Sequence, residues 1–354
     1  LSNNDGEFPI YGASGLIKNV DFYHQEEEYI GIVKDGAGIG RLALLPEKSS
    51  VIGTMQYILP YEGVDIKFLY YSLLSIDFLK HRQGSTIPHI YFKDYSEEEI
   101  TVPPLSEQLR IVSILDEALE KLGQAKENIE KNLQNAKDVF ESYLQNIFAN
   151  PWDDWEEKNL GEIATFRNWL NFTKGSKGET IKIVGVKDFQ KSFWVPFDSL
   201  ESVIIDGKLN EIDFLKENDI LAVRSNGNPE LIGRVILAGD FIGTVSHSGF
   251  TIRIRADSKI LAPLYLCHYL KTKGARRELV ESGVWVGIKS LNQAILSSLI
   301  IPFPKSLPEQ LSIVSKLNTL SAETKHLESI YQQKLAHLDE LRKSLLKKAF
   351  NGKL

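Results

Sequence analysis

Cysteine is almost absent: of 354 residues only Cys267 carries a thiol, which excludes a disulfide framework and a cysteine-based zinc site. Its apolar setting, LYLCHYL, marks it as a buried, inert side chain rather than a nucleophile. No apolar run reaches the roughly 18 residues that a membrane span needs, and no charged-then-apolar leader opens the chain. The expectation is an intracellular soluble protein without a membrane partner. The first residue is Leu1 rather than methionine, which reads as a processed or cut N-terminus. A Walker phosphate loop is missing, and the lone G-x-G of KDGAGIG, residues 34–40, has neither the third glycine nor the downstream acid of a dinucleotide site. The N-P-P-[FY] signature of amino-methyl transfer does not occur; residues 228–230 read N-P-E. His and carboxylate clusters with metal-ligand spacing are lacking too, and the runs Glu26-Glu27-Glu28 and Glu97-Glu98-Glu99 read as solvated turns. The chain is therefore expected to be no enzyme and to carry no cofactor or metal of its own.

What is present fits an ordinary globular protein, with 43% hydrophobic and 25% charged residues and a length that suits two domains. The net charge of -6 is unevenly spread. Residues 1–101 hold 8 Lys and Arg against 15 Asp and Glu, whereas residues 155–300 hold 19 against 17 and residues 301–354 hold 9 against 5. Only local patches could meet phosphate.

The chain also repeats itself at an interval of 202 residues. Residues 105–115 read LSEQLRIVSIL and residues 307–317 read LPEQLSIVSKL, with further matches at Leu133/Leu335, Ser142/Ser344, Leu144/Leu346 and Phe148/Phe350. Each copy opens a long helix. After Pro103-Pro104, Ser106 is placed to cap the first one, with Glu107 in its first turn. Apolar residues then recur at Val112, Leu115, Leu119, Leu122, Ile129, Leu133, Ala136, Phe140, Tyr143 and Ile147, with Lys126 the one polar residue in this seam. Alternating gaps of three and four make a coiled-coil heptad. The second copy keeps Val314, Leu317, Tyr331, Leu335, Leu338 and Leu345, is interrupted at Ser321, Thr324 and Glu328, and stops at Asn351-Gly352. Matching lengths predict that the two helices pack antiparallel against each other.

The segments before the helices are duplicated as well. IGRLALL, IGT and YIL follow one another at residues 39–59, and IGRVILA, IGT and FTIRIR at residues 232–255. Alternating strands at residues 29–33 and 220–223 run into polar, Gly-containing loops, and an aromatic helical stretch, a polar loop and a last strand, ITVPP or LIIPFP, lead into each helix. The expected fold is α+β: two globular α/β domains separated by two long helices in an antiparallel coiled coil, with pseudo-two-fold symmetry. Its predicted segments are 1–101, 102–150, 151–301 and 302–354.

This arrangement resembles the specificity subunit of prokaryotic type I restriction–modification systems over the whole chain. The resemblance is carried by LSEQLRIV and LPEQLSIV, by WEEKNLGEIATF at residues 155–166, by FPIYGASGLIKNV at residues 8–20, and by the closing LRKSLLKKAFNGKL. It implies two target-recognition domains, each reading half of a split DNA sequence, with the helices as a ruler for the gap. It also implies cytoplasmic partners: double-stranded DNA, two methyltransferase subunits that bring S-adenosylmethionine, and endonuclease/translocase subunits. About 77 residues separate Trp155 from Ile232, whereas only 38 precede Ile39, and no W-x-x-x-x-LGEI opening precedes Leu1. The expectation is that the opening strand of the first recognition domain is missing. Two other readings stay open: a stand-alone DNA-binding or decoy module, and a coiled-coil scaffold without a DNA role.

Base reading needs donors and acceptors on loops that reach a groove, with Arg suited to guanine and Asn to adenine. In the second domain the candidates are Arg224 and Asn226, with Ser246, His247 and Trp285, while Arg276 and Arg277 suit phosphate. In the first domain they are Lys34, Arg41, His81, Arg82, Ser85 and His89.

Overall fold

The structure, a computed structural model, describes residues 4–149, 151, 154–168, 175–189, 192–281 and 290–352. The chain divides into two compact units, Leu1–Leu133 with Ser329–Leu354, and Gln134–Glu328. The first unit runs β1 (Phe8–Gly12), β2 (Gly15–Val20), β3 (Tyr29–Val33), β4 (Leu42–Leu45), β5 (Ser50–Val51), β6 (Met55–Ile58), α1 (Ile66–Leu74), α2 (Phe92–Tyr95) and the start of α3 (Leu105–Ala149). The second completes α3 and runs β7 (Trp155–Asn159), α4 (Leu160–Ile163), β8 (Ala164–Asn168), β9 (Thr180–Val184), β10 (Glu201–Ile204), β11 (Ile220–Val223), β12 (Val235–Leu237), β13 (Val245–His247), β14 (Thr251–Ala256), α5 (Pro263–Leu270), α6 (Lys273–Glu281), α7 (Gln293–Ser298), β15 (Ile300–Pro304) and the start of α8 (Leu307–Phe350).

The strand pairings repeat between the units. In the first, β1 pairs antiparallel with β2 and parallel with β5, and a second sheet has the order β4-β3-β6. In the second, β9 pairs antiparallel with β10 and parallel with β13, and the other sheet has the order β12-β11-β14-β8. The middle strands β3 and β11, YIGIV and ILAV, are buried along their whole length, as a strand covered on both faces must be. The difference lies at one edge. Among the described residues of the first unit nothing corresponds to β7, α4 and β8. The predicted strand ITVPP is accordingly not a strand: residues 100–104 pair with nothing described, whereas β15 is held by β7 over five residue pairs.

Each unit cores around an end of both long helices. In the first, Ile111, Val112 and Leu115 of α3 meet Leu346 and Ala349 of α8 and Phe68 of α1. In the second, Leu144 and Phe148 of α3 meet Ile313, Val314 and Leu317 of α8, with Tyr265 and Leu266 of α5. Within each unit α3 and α8 therefore run antiparallel. The seam departs from a strict heptad at Tyr143, which is 37% exposed while Leu144 is 4% exposed; a straight helix drifts about 20° per heptad, enough to bring the next residue into the buried stripe. Thr324 sits buried in α8 because its hydroxyl donates back to the carbonyls of Leu320 at 2.5 Å and Ser321 at 3.2 Å. Helix α3 begins at Leu105, so Ser106 lies inside the first turn instead of capping it.

The repeated Glu-Gln pair has a structural cause. Gln108 accepts from the Asp65 amide at 2.8 Å and donates to the carbonyls of Gly63 at 3.0 Å and Pro103 at 2.9 Å. Gln310 accepts from the Ala262 amide at 2.8 Å and donates to Ile260 at 3.0 Å and Pro304 at 2.8 Å. Both side chains are buried, and each ties the start of a long helix to the loop before α1 or α5. About two turns later, Asp116 of α3 accepts from Lys67 at 2.8 Å and from the Tyr71 hydroxyl, and its counterpart Asn318 of α8 pairs with His268 at 3.1 Å.

Candidate nucleic-acid interface

In both units the chain leaves the middle strand through the same backbone clasp. Below it the I-G-R repeat makes the turn: Gly40 and Gly233 have φ of 78° and 76°, a region that favours glycine, and their amides donate to Val33 at 2.8 Å and Val223 at 3.0 Å. The Val33 and Val223 amides donate in turn to the carbonyls of Arg41 and Arg234, both at 2.9 Å. The residue after the strand is gripped from two sides. The Lys34 amide donates to Thr54 at 2.9 Å and its carbonyl accepts from Ile90 at 2.9 Å; the Arg224 amide donates to Phe250 at 2.8 Å and its carbonyl accepts from Leu291 at 2.8 Å. Neither the Lys34 ammonium nor the Arg224 guanidinium has a hydrogen-bond partner among the described residues. Each unit thus presents one cation on a rigid backbone at an equivalent place.

Other expected residues gather around this clasp in the first unit. Gly36 donates to Pro88 at 2.8 Å, His89 bridges both Asp35 and Gln83, and the exposed Arg82 and Ser85 flank that hairpin. The His89 ring rests against Tyr91, with centroids 4.7 Å apart. Arg41 is exposed, its Nε 3.4 Å from the Gly38 carbonyl. His81 is otherwise engaged, 2.5 Å from Glu98, whose carboxyl is held below its ordinary range first by Lys80 and then by His81.

In the second unit Asn226 closes its own loop by accepting from the Asn228 amide at 2.8 Å. Trp285 lies outside the described residues. Ser246 and His247 are not placed to contact DNA. Both are fully buried in β13, where Ser246 donates to the Asp213 carbonyl at 2.8 Å and His247 Nδ1 lies 2.9 Å from the Thr251 hydroxyl. Burial and then the nearby Arg253 lower His247 to about 4, so its ring stays neutral at pH 7. Charged residues surround this strand: Asp213, whose carbonyl takes the Ser246 bond, is buried and pairs with Arg167 at 2.8 Å, and Arg253 lies near His247.

Arg276 donates to the carbonyls of Glu230 and, at 3.4 Å, Ile232, while Arg277 lies in a separate cleft beside Phe148 and Tyr269. Around Arg276 the structure gathers two cations that the sequence reading missed. Arg234 and Lys271 line the same cleft of about 200 Å³, with Phe189 and Ser192 at its wall. Arg234 is the repeat counterpart of Arg41, so the duplicated I-G-R was the signal for it. Burial depresses the Lys271 pKa, and its ammonium stands 5.2 Å over the Phe193 ring. Cys267 is buried as expected, its thiol pushed up to about 12 and so inert at neutral pH. Among the described residues there is no metal-binding cluster and no helix long and apolar enough to cross a membrane.

The StySPI specificity subunit of a type I restriction enzyme, from Salmonella potsdam, is 27% identical over 287 residues, which span 77% of this chain and 61% of that subunit. The EcoBI specificity subunit of Escherichia coli is 25% identical over 301 residues, spanning 76% and 61%. The chain therefore spans about three fifths of the length of these curated relatives. A chain from a solved structure of a type I R-M system, described in terms of its complex assembly and conformational transition, matches at a TM-score of 0.79 and 17% identity, covering 100% of this chain and 93% of that one, a likeness of fold. A family model of type I restriction modification DNA specificity domains matches residues 1–135 and 152–336. With both units and most of both long helices inside that match, the chain belongs to the type I restriction modification DNA specificity domain family.

Proposed function

We propose that this chain is the sequence-specific DNA-binding subunit of a type I restriction–modification complex, recognising a bipartite target with a gap of fixed length. The observation that carries this reading is the duplicated clasp: two loops of one design, each presenting a basic side chain, with Lys34 in one and Arg224 in the other. Two equivalent frames with unlike tips suit a ligand that has two halves of unlike sequence. Arg224 reads a base, a role that Lys34 and the His89 hairpin take in the first unit; Arg41, Arg82, Arg234, Arg276 and Lys271 meet phosphate. Asn226, Ser85, His81 and Arg277 stand as secondary contacts.

In this reading residues 1–101 and 151–301 are the recognition domains, and residues 102–150 and 302–354 are spacer helices. The chain catalyses nothing itself. Two methyltransferase subunits, carrying S-adenosylmethionine, dock on it to modify the target, endonuclease/translocase subunits join them, and the complex works in a prokaryotic cytoplasm.

The test is single-molecule methylome sequencing of a host carrying this protein with a methyltransferase of the same system. The expected result is one motif of two short half-sites separated by a constant gap. An undivided motif, or no new methylation while the two proteins co-purify, overturns the reading.

A further inference from the structure

The clasp sets a second side chain beside each clasped cation. In the first unit β3 and β6 pair Val33 with Met55, a register that, continued by one residue, sets Lys34 opposite Thr54; in the second, β11 and β14 pair Val223 with Thr251 and so set Arg224 opposite Phe250. The main-chain bonds agree. Thr54 accepts from the amides of Lys34 and Asp35 at 2.9 and 3.3 Å, and Phe250 from those of Arg224 and Ser225 at 2.8 and 3.4 Å. Two residues earlier the Ile52 amide donates to Tyr11 and the Ser248 amide to Val184, both at 2.9 Å. Ile52-Gly53-Thr54 is therefore matched by Ser248-Gly249-Phe250, and not by the second I-G-T at residues 242–244. A phenyl ring stands where the first unit has a threonine.

That ring is 60% exposed and contributes to none of the apolar clusters that build the second unit among the described residues. An exposed apolar side chain is by itself ordinary. This one sits on a backbone held from both sides. Its turn is closed by the Thr251 amide and hydroxyl, which donate to the Ser248 carbonyl at 3.0 and 2.8 Å, and the same hydroxyl lies 2.9 Å from Nδ1 of the buried His247. The frame has no need of the ring, since the first unit keeps the same carbonyl bonds with threonine at the matching place. Opposite residues of an antiparallel pair carry their side chains on one face, with Cβ atoms about 5 Å apart. A large apolar surface thus emerges beside the Arg224 guanidinium.

We propose that Phe250 is a specificity-determining residue of the second unit, which reads the 5-methyl group of a thymine in the base pair beside the guanine met by Arg224. This assignment rests on the DNA reading proposed above. In the major groove arginine forms a bidentate pair with guanine, and the one base feature that suits an apolar side chain is the thymine methyl. Base pairs follow one another at about 3.4 Å, so side chains that start about 5 Å apart reach neighbouring pairs. The half-site of the second unit therefore holds an A·T pair next to a G·C pair.

The test uses the chain with its methyltransferase bound, on duplexes in which each thymine of the bipartite motif is replaced in turn by deoxyuridine, a change that removes only the methyl group. One replacement, beside the guanine whose discrimination Arg224→Ala loses, should weaken binding about fourfold, the worth of one buried methyl. Phe250→Ser should bind the thymine and uracil duplexes alike, while Phe250→Leu should keep the preference. No penalty at any thymine with the parent chain overturns the assignment without recourse to a variant. So does a penalty that survives Phe250→Ser, or a second half-site with no A·T pair beside a G·C pair. Equal loss on both duplexes with a straightened DNA bend, the mark of an intercalating wedge, overturns it too. An undivided motif, by contrast, overturns the DNA reading beneath it.

Discussion

At the scale of single residues, the two glutamines that end the repeated Glu-Gln pair do more for the fold than the acids beside them. Gln310 satisfies three main-chain groups at once inside the protein, at 2.8 to 3.0 Å, and a truncated side chain leaves those groups buried without partners. An unsatisfied buried group costs about 1–3 kcal/mol. Gln310→Ala should therefore lose about 2–4 kcal/mol in urea unfolding of the second unit, and Gln108→Ala should do the same in the first; a loss below about 1 kcal/mol at both sites would show that the glutamine ties are dispensable. The buried histidines set a pH dependence. His247 and His268, lowered by burial from near 6.5 to about 4, take up a proton in the unfolded chain before they do in the folded one. Their contribution is complete above pH 6.5 and fades as pH falls toward 4. At pH 5 each histidine should cost about 2 kcal/mol relative to pH 7.5. Hydrogen exchange in β13 and α5 reads this directly, and the double variant His247→Asn, His268→Gln should flatten the profile.

At the scale of elements, the long helices were legible in the sequence because their packing is written in a local repeat of three and four residues. The middle strands were legible for a similar reason, since a fully buried strand is a short apolar run between turn signals. Sheet order was not, because β8 pairs with β14 across more than 80 residues of chain and nothing local encodes that choice. The same limit explains the miss at His247 and Ser246: VSHSGF alternates like a half-exposed strand, and the groups that satisfy it, the Asp213 carbonyl above all, come from a remote loop. The place of Arg224 on a loop after β11 was legible because a strand that runs into a polar glycine loop is itself a local signal. The helices also carry the most direct prediction about the gap. Four residues inserted near Asn128, with a matching turn in the facing part of α8, lengthen the spacer by about 6 Å at ~1.5 Å per residue. Duplex DNA rises about 3.4 Å per base pair, so a selected site should keep both half-sites and widen its gap by about two base pairs. A gap that stays fixed would remove the helices from the role of ruler.

For the whole molecule, charge is the quantity that decides how DNA would be held in the proposed role. The chain has a net charge of -6, and its first 101 residues alone hold 15 acids against 8 bases, so a diffuse positive field cannot supply the affinity. Binding must come from few, local phosphate contacts, and each neutralised phosphate contributes about -0.9 to the slope of log K against log salt on duplex DNA. One cleft brings together Arg234, Arg276 and Lys271. Changing both Arg234 and Arg276 to Gln should make the slope shallower by about 2 and weaken cognate and random duplex alike. Arg224→Ala should behave in the opposite way, leaving the slope within about one unit while discrimination at one position of one half-site falls by about 1–3 kcal/mol. Fluorescence anisotropy over a series of salt concentrations, on cognate and scrambled duplexes with the methyltransferase bound, separates the two effects. If Arg224→Ala lowered affinity equally on both duplexes, the clasped cation would be a phosphate anchor, and sequence reading would have to rest on the loops beside it.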